Sequence, residues 1–198
     1  YGGLQMAYEI KTIAVYCGSN NGRDESYKKF AKELGEVLAK RRINLVYGGT
    51  NKGLMGVMAH SAFEEGTNVT GIITERLRAK GQVNPNLSML ESYPTMQSRK
   101  ARMIELADAF IMMPGGIGTL EEFMEVRTQN QIGETSKPLG VLNIDNYFAN
   151  LLSFVDHMIA EKFLPSAHRN GIVVHSDPEE LINLLIKFTP VTVEKWLD

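Results

Sequence analysis

Residues 109–122, Ala109-Phe110-Ile111-Met112-Met113-Pro114-Gly115-Gly116-Ile117-Gly118-Thr119-Leu120-Glu121-Glu122, decide the fold. The apolar run Ala109–Met113 predicts a strand, and the Leu120-Glu121-Glu122 segment opens a helix. Between them Gly115, Gly116 and Gly118 leave a turn free of side chains, so its backbone N–H groups can approach a ligand closely. The helix behind the turn directs its unpaired N–H groups and partial positive end at the same spot. That arrangement is an anion cradle, most often for phosphate. A carboxylate in the first turn of the helix is not needed to hold phosphate and points to chemistry beside it.

Further candidate strands are Thr12–Cys17, Ile43–Tyr47, Val69–Ile73, Leu139–Ile144 and Ile172–His175. Helical patterns fall at roughly 24–41, 53–66, 98–107, 119–130, 146–160 and 178–188. The apolar runs are continuous rather than alternating, as in strands buried on both faces, and every connection is helix-sized. This predicts an α/β fold: a single Rossmann-like, doubly wound parallel sheet with helices on both faces. Residues 6–198 are expected to form one nucleotide-binding domain, with residues 1–5 a cloning remnant. In such sheets ligands bind beyond the carboxyl ends of the strands. The glycine punctuation lies there: Gly18-Ser19 after the first strand, Gly48-Gly49 after the second, and the Pro114–Thr119 loop.

Composition narrows the function. The chain has 198 residues, 43% of them hydrophobic and 22% charged, which are ordinary globular values. A net charge of −2 argues against coating nucleic acid or a membrane surface. No apolar run approaches the roughly 18 residues of a membrane span. The lone cysteine, Cys17, forbids an internal disulfide and fits a cytoplasmic protein; beside Gly18 it reads as a small buried residue. The scattered histidines (His60, His157, His168, His175) form no metal-ligand pattern, so no metal is expected.

The Gly18-Ser19-Asn20-Asn21-Gly22 turn is not a dinucleotide fingerprint, and no acidic residue ends the second strand. No Walker-type loop is present either. A mononucleotide or sugar phosphate fits better than a dinucleotide. Gly48 to Gly56 can reflect either tight helix–strand packing or close approach to a ligand. Ser98-Arg99-Lys100-Ala101-Arg102 puts three cations at a helix start, which opposes the helix dipole unless an anion is near. Arg99 is the better anion ligand because its planar guanidinium binds bidentately, and Arg102 is assigned to the solvated face. Thr119 and Glu122 also match the S/T-x-x-E capping box, a purely structural pairing. Geometry leaves open which of Glu121 and Glu122 faces the site, since neighbours on a helix project about 100° apart.

Together, Cys17-Gly18-Ser19, Val46-Tyr47-Gly48-Gly49, Gly53-Leu54-Met55-Gly56, Ser98-Arg99-Lys100 with Met103, Asp108-Ala109-Phe110 and Pro114–Glu122 resemble the LOG ("lonely guy") family. These are cytokinin riboside 5′-monophosphate phosphoribohydrolases, many once mislabelled lysine decarboxylases. The resemblance runs from about Ile13 to Leu185. It implies catalytic roles for Arg99 and Glu122 and hydrolysis of an adenosine-type 5′-monophosphate to base and ribose 5-phosphate, without a cofactor. It also implies substrate contacts from Gly18, Ser19, Gly48, Gly49, Met55, Lys100, Gly115, Gly116, Ile117, Gly118, Thr119, Leu120, Glu121 and Thr128. A homodimer follows from the same resemblance, with helices near 98–107 and 119–130 at its interface. The apolar Met103, Phe123, Met124 and Ile132 could line that interface or pack on the sheet. The chain departs from the family at Met96-Gln97-Ser98, where Met-His-Glu is usual, and at Thr128-Gln129-Asn130-Gln131, where Thr-Trp-Ala-Gln is common. An acidic residue after the third strand has no clear counterpart in Arg78–Asn84. The alternative function is a non-catalytic nucleotide or molybdenum-cofactor carrier of the same superfamily.

Overall fold

Seven strands lie in one sheet of the computed structural model, which describes residues 9–191. They are β1 (Thr12–Tyr16), β2 (Asn44–Tyr47), β3 (Val69–Thr74), β4 (Met89–Tyr93), β5 (Ala109–Met112), β6 (Leu139–Leu142) and β7 (Val173–His175). All neighbouring pairs are parallel, in the order β4-β3-β2-β1-β5-β6-β7. The expected fold class is therefore the observed one. The order reverses between β1 and β5, which pair from Ile13 with Ala109 to Tyr16 with Met112. That is the topological switch point, where a ligand crevice opens. The expected remnant at residues 1–5 lies outside the described residues.

Strand residues alternate between two cores. Ile13, Val15, Leu45, Tyr47, Ala109 and Ile111 face one side, where they meet α1 (Glu25–Lys40), α2 (Gly53–Glu64) and α7 (Pro178–Ile186). Ala14, Tyr16, Val46, Phe110 and Met112 face the other, against α4 (Met96–Leu106), α5 (Ile117–Gln131) and α6 (Ala149–Ala160). The continuous apolar runs are thus two interleaved period-two patterns, one per core. A short helix, α3 (Glu75–Ala79), joins β3 to β4.

Three helix starts differ from their sequence expectation; the one expected from 146 begins only at Ala149, because the preceding turn, Ile144–Asn146, carries left-handed Asp145 and Asn146. The helix before β5 begins at Met96, not near Ser98, because Thr95 and Ser98 form a reciprocal capping box. Arg99 and Lys100 consequently lie beyond the first turn, where the dipole penalty has faded. α5 begins at Ile117 with Gly116 as its cap and no side-chain cap bond. Thr119 and Glu122 are therefore inside the helix, and the capping-box reading of this pair is overturned. Arg102 is not simply solvated: its guanidinium pairs with Glu91 of β4 at 2.9 Å and with Glu105 at 2.9 Å. Met103 and Phe123 are fully buried against the sheet, leaving Ile132, 44% exposed, as surface.

α1 and α2 approach backbone to backbone at Gly35, where a Cβ would stand 2.6 Å from the Met58 carbonyl oxygen and 2.8 Å from the Ala62 nitrogen. Alanine there gains helix propensity but forces the helices apart, and overpacking of this kind costs about 1–3 kcal/mol. Gly35→Ala is expected to lower the thermal midpoint, by roughly 2–4 °C per kcal/mol lost. An unchanged or raised midpoint in a thermal melt would show that the two helices separate freely.

Candidate active site

At the switch point, the loops after β1, β2 and β5 enclose a cavity of about 490 Å³. The β1 and β5 loops touch through their backbones: Gly18 N donates to the Pro114 carbonyl at 3.0 Å. A Cβ on Gly18 would sit 3.3 Å from the Gly115 Cα, and one on Gly115 would strike Thr119 Oγ1. The N–H groups of Gly116, Ile117, Gly118 and Thr119 have no acceptor among the described residues; the first amide engaged in the helix is that of Leu120, which bonds the Gly116 carbonyl at 3.2 Å. These four amides face the same cavity mouth as the helix dipole, the geometry of an anion cradle.

One turn behind the cradle lies a buried ion pair. Arg99 Nη1 donates to Glu122 Oε1 at 2.6 Å, with the residues only 3% and 6% exposed. Arg99 Nε also donates to the Ile72 carbonyl of β3 at 2.7 Å. Gly48 makes the guanidinium possible: a Cβ there would lie 2.8 Å from Arg99 Nη2. Burial pushes the Glu122 carboxyl above the ordinary carboxylate range, and the Arg99 charge only partly offsets this. The same low-dielectric surroundings, with the Glu122 charge added, push the Tyr16 phenol and the Cys17 thiol up. Cys17 is therefore a buried neutral thiol, as its position after the first strand suggested.

Of the expected site residues, Gly18, Ser19, Gly48, Met55, Arg99, Gly115, Gly116, Ile117, Gly118, Thr119 and Glu122 line this cavity. Gly49, Lys100, Leu120, Glu121 and Thr128 do not. Gly49 holds a turn, with φ of +81° and its carbonyl accepting from Asn84 N at 2.9 Å. Lys100 turns away from the cavity to Glu121 and to Glu125, the latter at 2.8 Å. Burial works against the Lys100 charge, but the two glutamates outweigh it and raise its pKa. Leu120 packs against the α4–α5–α6 core. Thr128 is exposed and donates to the Met124 carbonyl of its own helix at 2.8 Å. Of the two adjacent glutamates, Glu122 is the one at the cavity.

Other lining residues escaped the sequence reading. Gln82 occupies the stretch where an acidic residue was sought, and Tyr27 and Tyr147 form one wall. Ile73, Leu77 and Met96 supply an apolar side. Apart from Met96, which opens the segment before Arg99, no motif marks these positions; the topology gathers them. Among the described residues no lysine lines the cavity, and no group of three or more His, Cys, Asp or Glu could hold a metal.

Comparison with known proteins agrees with this geometry. The sequence family described as "possible lysine decarboxylase" matches residues 55–185. The Arabidopsis thaliana protein named cytokinin riboside 5′-monophosphate phosphoribohydrolase LOG1 is 40% identical over 187 residues, covering 94% of this chain and 88% of that protein. Its Oryza sativa subsp. japonica counterpart, named LOG, is 41% identical over 181 residues, 91% of this chain and 75% of the other.

The chain belongs to the LOG family.

Among solved structures, the molybdenum cofactor binding protein from Rippkaea orientalis superposes with a TM-score of 0.68 at 22% identity, covering 90% of this chain and 97% of that one. The Moco carrier protein from Chlamydomonas reinhardtii gives 0.68 at 17% identity, over 91% and 100%. These likenesses establish the shared fold. The LOG relatives are about twice as similar in sequence.

Proposed function

We propose that the cavity binds an adenosine-type nucleoside 5′-monophosphate and hydrolyses its N-glycosidic bond, giving free base and ribose 5-phosphate. The observation that carries this reading is the Arg99–Glu122 pair set directly behind four free amides at a helix start. The LOG relatives bear phosphoribohydrolase activity in their names. A reaction of this kind needs an anchored phosphate and a carboxylate near C1′.

The glycine loop and α5 take the 5′-phosphate through backbone amides. That remote anchorage positions the ribose for reaction. The apolar side built by Ile73, Leu77 and Met96 receives the base. Breaking the bond leaves an oxocarbenium-like sugar while the base departs with the bonding electrons and takes up a proton. Glu122 stabilises the cation and orients the water that adds at C1′, the logic of glycoside hydrolysis. Arg99 holds Glu122 in place through Nη1, while Nη2, beside Gly48, remains available to the ligand.

We further read the working unit as a cytoplasmic homodimer joined through the outer faces of α4 and α5. Among the described residues no helix is long and apolar enough to cross a membrane. Lys100, Glu121 and Thr128 do not line the cavity of their own chain, so a part for them in substrate binding calls on a second copy.

Four measurements test this reading. AMP is expected to be turned over with kcat/KM well above that of adenosine, as release of free adenine will show; equal values would sink the phosphate anchor. Glu122→Gln keeps an acceptor for Arg99 but removes the charge, and should lower kcat by at least about a hundredfold, the scale of losing such a stabilising group. Because the reactive form is the carboxylate and burial raises its pKa, wild-type kcat/KM should fall on the acid side with an inflection above the ordinary carboxylate range. Near-normal turnover by the folded variant would remove Glu122 from the chemistry. Light scattering at micromolar concentration should report about twice 22.1 kDa, and a fully active monomer would exclude a site built by two subunits.

A further inference from the structure

Tyr147 lies 32 residues beyond Gly115 in sequence, yet its hydroxyl donates to the Gly115 carbonyl at 2.6 Å, inside the glycine loop. The backbone that delivers it is unusual. Asp145 and Asn146 take φ values of +49° and +58° in succession, a left-handed conformation that non-glycine residues rarely adopt. Such outliers persist where the surroundings over-determine them, and they cluster at functional sites. Here Ser26 at the start of α1 donates to Asp145 Oδ2 at 2.6 Å, and Phe148 N donates to Asn143 Oδ1 at 2.8 Å. The Tyr147 ring packs edge-on against Tyr27 at 5.8 Å and against Phe148 at 4.8 Å. Gly22, with φ of +76°, leaves room for Tyr27: a Cβ there would be 2.6 Å from that ring. Three separate segments thus converge to place one phenol on one carbonyl.

That carbonyl belongs to the peptide between Gly115 and Gly116. Two consecutive glycines lower the barrier to rotating this peptide as a unit, because both accept the φ/ψ values on either side of the flip. In a trans peptide the C=O and the following N–H point in opposite directions. Pinning the Gly115 oxygen to Tyr147 therefore fixes the Gly116 N–H on the other edge, where it has no acceptor among the described residues. A flipped peptide would present a carbonyl oxygen to the anion and remove one donor.

We propose that Tyr147 is a positioning residue that locks the Gly115–Gly116 peptide with its amide edge toward the phosphate. It acts through the loop and not on the reacting atoms. The inference rests on the phosphate-cradle reading above.

The experiment uses Tyr147→Phe, which keeps the ring contacts and removes only the hydroxyl, with Tyr147→Leu as a second variant lacking both. KM and kcat for AMP are measured, together with inhibition constants for inorganic phosphate and for adenosine and the thermal midpoint. For Tyr147→Phe, KM for AMP and the phosphate inhibition constant should both rise about three- to tenfold, the worth of one hydrogen bond. Its adenosine inhibition constant and thermal midpoint should stay at wild-type values. Tyr147→Leu should show at least the same phosphate-dependent loss. Unchanged KM and phosphate inhibition in Tyr147→Phe would overturn the proposal, as would an equal weakening of phosphate and adenosine. The wild-type protein judges the underlying reading separately: if adenosine binds it as well as AMP, the phosphate cradle fails and this role falls with it.

Discussion

The buried contact between Arg99 and Glu122 is the constraint around which the rest of the site is arranged. Removing two charges from water is expensive, and their attraction repays it only when the remaining polar atoms are also satisfied. The fold meets that demand from four directions. α4 supplies Arg99, α5 supplies Glu122, β3 offers the Ile72 carbonyl to Nε, and the turn after β2 gives up a side chain at Gly48. Apolar residues of similar volume would join these elements about as well. The charges therefore make most sense through what they do to a ligand, and their position at the switch point between β1 and β5 puts them where one would sit.

The surroundings of that pair tune its chemistry. Burial raises Glu122 despite its partner, and the same effect keeps the Tyr16 phenol and Cys17 thiol neutral. The floor of the cavity is thus a poorly solvated region holding one carboxylate and one guanidinium. In such a medium an electrostatic interaction is stronger than in water. A cation developing on a sugar ring beside Glu122 would feel that carboxylate largely unscreened. In the proposed reading, phosphate is met instead at the exposed rim by backbone amides, which carry no titratable proton. On that reading, anchoring and reaction are divided between backbone amide donors and a carboxylate, separated by about one helical turn.

Much of this was readable in the sequence, and what was not has definite physical causes. Strands buried on both faces announce themselves as continuous apolar runs, so β1, β2, β3, β5, β6 and β7 stood out. β4 did not, because Met89-Leu90-Glu91-Ser92-Tyr93 is an edge strand, half exposed and half polar. The glycine loop, Arg99 and Glu122 were legible because their chemistry is local. Tyr27, Gln82 and Tyr147 were invisible because only the topology brings their loops together. The start of α5 was placed too late because glycine, not a hydroxyl or carboxylate side chain, caps it. Thr119 and Glu122 then looked like a cap, although Glu122 reaches across to Arg99. At α4 the cap is real but uses Ser98 where the familiar box has an acid.

Neighbouring residues explain the remaining division of labour. Successive side chains on a helix diverge by about 100°, so Arg99 and Lys100 cannot serve the same space, nor can Glu121 and Glu122. The structure pairs them in opposite order, Arg99 with Glu122 inside and Lys100 with Glu121 outside. The outer pair is partly solvated and screened, and contributes little stability by itself. Its value is in register. Because the paired residues are adjacent on each helix, a single relative placement of α4 and α5 satisfies both contacts. A slide of either helix that kept the outer pair would break the inner one. The outer charges thereby reinforce the placement of the inner ones, and the Arg-Lys and Glu-Glu doublets act as one two-sided clamp between the helix that carries the guanidinium and the helix that follows the glycine loop.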